Sequence, residues 1–145
     1  MFRMFKHKHL EEESNGDFAF EVYADTLEEL FKGAGFACMG AMVKIDALTT
    51  NINFDFSLKA PELPLLLYDF LSELVYLKDV EAVLFKDFEI KISKNTDFNL
   101  QCVAKGRLIN WDTDELYTDV KAVTMHTMVV EQRENQWYCH VLLDL

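Results

Sequence analysis

The chain closes with Asp119-Val120-Lys121-Ala122-Val123-Thr124-Met125-His126-Thr127-Met128, a short polar turn, and then Tyr138-Cys139-His140-Val141-Leu142-Leu143-Asp144-Leu145. Apolar residues alternate on both sides of Glu131-Gln132-Arg133-Glu134-Asn135, the pattern of a hairpin of two strands with the second running to the final residue. Such a strand places the Asp144 carboxylate and the α-carboxylate of Leu145 together. Two hard oxygen donors one residue apart suit a cation or a basic partner. Lys121 stands where the first arm begins, sharing parity with Val123 and Met125. Its ordinary role is a surface ion pair; its functional role is to orient the carboxylates or to touch an acidic spot on a partner.

Upstream, Phe18, Phe20 and Val22 alternate with Ala19, Glu21 and Tyr23, which predicts a strand after a turn at Ser14-Asn15-Gly16-Asp17. Asp25 or Thr26 caps a helix in which Leu27, Leu30, Phe31, Ala34, Cys38, Ala41 and Met42 form one stripe. Gly33, Gly35 and Gly40 weaken that helix by about 1 kcal/mol each against Ala, and small residues there permit close packing on a sheet. Ile52, Phe54, Phe56 and Leu58 alternate cleanly as a strand. Pro61 and Pro64 open a second helix with Leu63, Leu66, Leu67, Phe70, Leu71, Leu74 and Val75 on its apolar face. Val83 and Phe85 have one parity and Phe88, Ile90 and Ile92 the other, which predicts a bulge at Lys86-Asp87. Phe98, Leu100, Cys102 and Ala104 form the next strand, and residues 110–115 are a polar connection. This order predicts an α+β fold: two main helices on a largely antiparallel or mixed sheet, with a C-terminal β-hairpin.

The 145 residues read as a single domain, long enough to bury roughly 70% of the unfolded surface, with residues 1–13 a short edge strand near Phe5–Leu10 or a flexible leader. Cys38, Cys102 and Cys139 lie in apolar stretches without C-x-x-C spacing, as reduced core thiols of a cytoplasmic protein do. No stretch has the length of a membrane span or a signal peptide. A net charge of −11 repels phosphate backbones, so direct nucleic-acid binding is not expected and a basic protein or a cation is the fitting partner.

Nucleotide-loop, zincin and serine-hydrolase motifs are absent. His7 and His9 form an H-x-H, a weak metal pattern. His126 and His140 sit on the two arms of the hairpin, where half-buried hydrogen-bonded histidines are the ordinary outcome. Asp17, Asp144 and the Leu145 carboxylate meet only if the first clear strand and the last are neighbours in the sheet. Oxygen-only ligation would then favour Ca²⁺, Mg²⁺ or Mn²⁺. Pairing His126 with Asp144 in a metal-dependent hydrolase leaves no nucleophile arrangement.

Four pieces together resemble the archease family: Tyr23-Ala24-Asp25-Thr26-Leu27-Glu28-Glu29-Leu30-Phe31, Leu65-Leu66-Leu67-Tyr68-Asp69-Phe70-Leu71-Ser72-Glu73-Leu74, Val120-Lys121-Ala122-Val123-Thr124-Met125-His126, and Val141-Leu142-Leu143-Asp144-Leu145. The resemblance implies a fold similar to strand-helix-strand-strand modules and a cytoplasmic protein that is a cofactor rather than an enzyme. It implies an RtcB-type RNA ligase as transient partner, whose guanylylation and multiple turnover in tRNA splicing or RNA repair the chain would stimulate. By motif, the implied metal-binding cluster is Asp17, Asp144 and Leu145, holding a divalent cation, Ca or Mg/Mn. Lys121 is the implied partner-activating lysine, with His126 and Thr124 in a second layer around the site. The family's His-Thr-Ala-Asp segment aligns with Ser14-Asn15-Gly16-Asp17, where the aspartate alone is kept. The alternative is a non-enzymatic protein-interaction or chaperone-like module with no metal-dependent role.

Overall fold

The computed structural model describes residues 5–10 and 17–145, with the backbone alone for residues 7–10. The turn expected at Ser14-Asn15-Gly16 lies outside the described residues, as do the side chains of His7 and His9. The order is β1 (Phe5–Leu10), β2 (Asp17–Ala24), α1 (Leu27–Gly40), β3 (Ile52–Ala60), α2 (Leu63–Glu81), β4 (Val83–Lys94), β5 (Phe98–Leu108), β6 (Ala122–Arg133) and β7 (Gln136–Asp144). The fold is α+β and antiparallel throughout the described pairs, but the strands divide into two sheets, β1-β2-β7-β6 and β3-β5-β4. Each helix packs on both sheets, so the core lies among all four layers of contact.

Local chemistry explains the elements. Thr26 caps α1 by accepting from the Glu29 N–H at 3.1 Å, while Glu28 and Glu29 favour the positive end of the helix dipole. The helix stops at Gly40, so Ala41 and Met42 follow it rather than continue its stripe. Gly33 allows the close packing that small residues permit: a Cβ there would lie 2.7 Å from Phe5 and Val22 side-chain atoms. In α2, Pro64 stands in the first turn and Ala82 ends the helix in the left-handed region at φ 53°. The change of face in β4 occurs through a register shift between Phe85 and Asp87, and Gly106 on β5 fits beside it because a Cβ would meet the Leu84 carbonyl oxygen at 1.9 Å.

The terminal hairpin departs from simple alternation in two ways. Pairing continues through Arg133 to Gln136, leaving a two-residue turn of Glu134 and Asn135 with φ of 49° and 72°, the pattern of a type I′ turn. In β6 the ladder breaks after Thr124 opposite Leu142 and resumes at Val129 opposite His140, so residues 125–128 bulge out against a single residue of β7. Among the described residues no helix is long and apolar enough to cross a membrane.

Phe70 ties the layers together. From α2 its ring lies 5.8 Å from Phe31 of α1, 6.1 Å from Phe56 of β3 and 5.9 Å from Phe88 of β4, and the side chain is fully buried. Phe70→Ala is therefore expected to cost about 3–5 kcal/mol in guanidinium unfolding, the range of a large core truncation. A loss below about 1 kcal/mol would contradict this packing.

Candidate functional site

Strand β7 runs between β2 and β6, and this placement brings distant residues to one end of the sheet. Asp17, the first residue of β2, is the direct partner of Asp144 in the β2–β7 ladder. On the other side Ala122 pairs with Asp144, and the Lys121 N–H donates to the Asp144 carbonyl at 2.9 Å. Direct cross-strand partners share a face with Cβ atoms roughly 5 Å apart, so the two carboxylates rise side by side. That face is the one turned away from the core: Val141 and Leu143 alternate inward, and Leu145 packs on the same apolar cluster. Asp17 is half-buried, while Asp144 and Lys121 are exposed.

Two like charges across one rung repel each other. A cation or a basic side chain above them relieves that repulsion. Among the described residues no three His, Cys, Asp or Glu side chains converge as a metal-holding group. Asp17 and Asp144 offer carboxylate oxygens alone, which would suit a hard divalent cation rather than a soft one.

The other expected residues lie around this end. Thr124 is two rungs beyond Ala122 on the same face, opposite Leu142, and its Oγ1 is buried without a hydrogen-bond partner among the described residues. His140 is half-buried and its Nδ1 lies 3.0 Å from the Thr127 carbonyl oxygen, as an ordinary hydrogen-bonded histidine. His126 departs from the expected half-buried state, because it sits in the bulge and is exposed. Thr127 in that bulge has φ 58°, a costly conformation for a β-branched residue.

Sequence reasoning missed Lys78. This α2 side chain is 7% exposed, and its Nζ lies 2.6 Å from both Asp79 Oδ1 and Asp119 Oδ1 and 3.1 Å from the Val120 carbonyl. Its three ammonium donors thus meet three oxygens. Burial alone would lower its pKa, but the hydrogen bonds to Asp119 and Asp79 outweigh burial and raise it, so the group stays charged. Val120 is fully buried and precedes Lys121, so Lys78 fixes where β6 begins beside β7. The signal was present: Lys78 follows Leu71 and Leu74 at seven and four residues on the apolar stripe, a place where a lysine must find buried oxygens.

The segment leading to Lys121 is fastened at three further points. Arg107 holds Asp114 in a bidentate ion pair, with Nη1 to Oδ2 at 2.9 Å. The Tyr117 N–H donates to the Met42 carbonyl at 2.8 Å and the Lys44 N–H to the Glu115 carbonyl at 3.0 Å.

Lys78→Met should cost about 1–3 kcal/mol, chiefly for the stranded Val120 carbonyl, because Asp79 and Asp119 remain largely in water. Hydrogen exchange of the Lys121 amide checks it; unchanged protection there would show that Lys78 does not hold the strand start. Asp114 gives a pH test. The Arg107 hydrogen bonds hold its carboxyl below the ordinary 3.8, so its stabilisation is present above that value and is lost as pH falls through the folded one. Thermal unfolding below pH 3.8 should therefore fall more steeply for the wild type than for Asp114→Asn. Parallel curves would remove the ion pair from the account.

The family model described as the Archease protein family (MTH1598/TM1083) matches residues 7–145. The chain is 33% identical over 134 residues to the protein archease of Methanopyrus kandleri, covering 92% of this chain and 96% of that relative. It is 32% identical over 135 residues to the protein archease of Pyrococcus furiosus, covering 92% and 95%. Among solved structures, Methanobacterium thermoautotrophicum protein 1598 superimposes with a TM-score of 0.83 at 29% identity over 99% of this chain and 100% of the other. An archease of Thermotoga maritima, described as a possible chaperone, shares the fold with a TM-score of 0.62 at 20% identity over 92% and 94%. With a family model spanning 7–145 and relatives aligned over nearly their whole length, the chain belongs to the archease family.

Proposed function

We propose that the chain is a non-enzymatic cofactor of an RtcB-type, GTP-dependent RNA ligase, stimulating ligase guanylylation and multiple turnover in tRNA splicing or RNA repair. The observation that carries this reading is the pairing of Asp17 with Asp144, with Lys121 bound through its backbone to the same residue. Asp17, Asp144 and the Leu145 carboxylate hold a divalent cation, Ca²⁺ or Mg²⁺/Mn²⁺. When bound, that cation neutralises phosphate charge near the ligase's guanylylation centre. Lys121, exposed and bound through its backbone N–H to Asp144, supplies a positive group near the strand end. The acidic balance of the chain supports a protein partner over direct RNA contact, since RNA affinity draws on Lys and Arg.

A cofactor role also agrees with the cysteines. Cys38 and Cys139 are fully buried, and burial pushes the Cys38 thiol up to about 12 and the Cys139 thiol higher than its ordinary value, so neither offers a thiolate at neutral pH. Their free state suits a reducing cytoplasm. The second reading, a chaperone-like interaction module with the acidic pair idle, is favoured by the exposed aromatic groups at Trp111 and Tyr117.

The test is ligation by an RtcB-type ligase from the same cell with RNA in large excess. Wild type is expected to convert a single turnover into many, and Asp144→Ala to abolish that gain while melting as a folded protein. Saturating Ca²⁺ or Mn²⁺ should raise the Tm of wild type and not of the variant. A variant that stimulates normally would sink the acidic site; a wild type without effect on turnover would leave the interaction module.

A further inference from the structure

Among the described residues seven large apolar side chains are exposed, and four of them, Leu108, Trp111, Leu116 and Tyr117, fall in one stretch leading to Lys121. Trp111 is 72% exposed and Tyr117 54%. Singly exposed apolar residues are ordinary, but a cluster on one ordered segment is the mark of an interaction surface. The segment is fastened: the Arg107–Asp114 pair has side chains 18% and 5% exposed, Asn110 Oδ1 accepts from the Asp112 N–H at 3.1 Å, and the backbone bonds at Glu115 and Tyr117 join it to Lys44 and Met42, just after α1. Lys78 closes it at Asp119. A surface so fastened loses little conformational freedom when a partner covers it.

Between this segment and the end of α2 lies a groove of about 410 Å³, walled by Trp111 and Tyr117, floored by Met42 and Leu84, and bounded by Asp79 and Asp119. Those two carboxylates are 52% and 70% exposed, and Asp112 and Glu115 are exposed on the same segment. Lys78, buried beneath, pairs with both of these carboxylates, so one cation faces two anions and the rim keeps a net negative charge. Aromatic walls with an acidic rim fit an arginine or lysine side chain, through cation–π contact and charge pairing. An enzyme that grips RNA ends carries such residues around its active site, because phosphate binding requires them.

We propose that residues 108–119, with Trp111 as anchor, form the surface by which this chain docks on a basic face of the RNA ligase. The partner's identity rests on the reading above. The register of the chain makes the arrangement purposeful: Asp119 at the groove's edge is two residues from Lys121, whose N–H is bonded to Asp144. A ligase seated on the groove is brought beside the acidic pair. Aromatic anchors of this kind commonly carry a large share of an interface's binding energy.

The experiment measures binding of the purified chain to the ligase by interferometry at low and high salt, together with the concentration dependence of stimulation, for wild type, Trp111→Ala and Asp144→Ala. Wild-type affinity should fall with added salt. Trp111→Ala should melt like wild type yet raise Kd and the half-saturating concentration about tenfold or more, a deficit recovered by adding more protein. Asp144→Ala should bind and fail to stimulate at any concentration. If Trp111→Ala binds within twofold of wild type, or if wild-type binding is indifferent to salt, the docking surface is overturned while the cofactor reading stands. If wild type binds through Trp111 and turnover does not change, the docking stands and the cofactor reading falls. Absence of wild-type binding overturns the docking on this ligase, as does a Trp111-dependent self-association found by sedimentation in place of it.

Discussion

Strand β7 is hydrogen-bonded on both edges, to β2 and to β6, and its register against each fixes everything at the end of the four-stranded sheet. A slip of one residue would turn Val141 and Leu143 to solvent and Asp144 into the core, so the apolar face enforces the pairing that sets Asp17 opposite Asp144. The repulsion of two carboxylates on one rung is small beside the burial of that face. Hydrophobic packing can therefore hold together an arrangement that charge alone would disperse.

The same logic reaches the other side of β7 through α2. Phe70 fixes the helix between the sheets, and Lys78, two turns further on, reaches from it to Asp119 and Val120. A buried lysine is costly unless every donor is met, which makes its three oxygens a specific address rather than a general attraction. The start of β6 is thereby registered against the helix as well as against β7. The strand then bulges at 125–128, which moves His126 out of the ladder and away from the role that alternation gave it.

The archease fold leaves two chemically different surfaces close together along the chain: an acidic pair with an adjacent lysine, and an aromatic groove with an acidic rim. In the proposed cofactor the first acts and the second holds. Separating the two tasks lets affinity come from aromatic burial at Trp111 while the exposed Asp144 stays clear of the docking groove. An accessory protein that must leave after each turnover gains from that separation, since a modest groove favours release.

Taken by itself, the sequence determined the elements: the period of 3.6 in Leu63, Leu66, Leu67, Phe70 and Leu74, the alternation from Ile52 to Leu58, the Thr26 cap and the parity change at Lys86-Asp87 all reappear in place. Those signals are local, set by side-chain spacing within one segment. It also carried the family pattern and singled out Asp17, Asp144 and Lys121 as candidates. What it left open was adjacency. The division into two sheets, the neighbourhood of β2 and β7, the bulge in β6 and the Lys78 latch join residues as many as 127 positions apart, as with Asp17 and Asp144. Only tertiary structure decided these, because strand order and buried-charge pairing depend on which apolar faces meet in three dimensions, and no periodicity along a single segment records that.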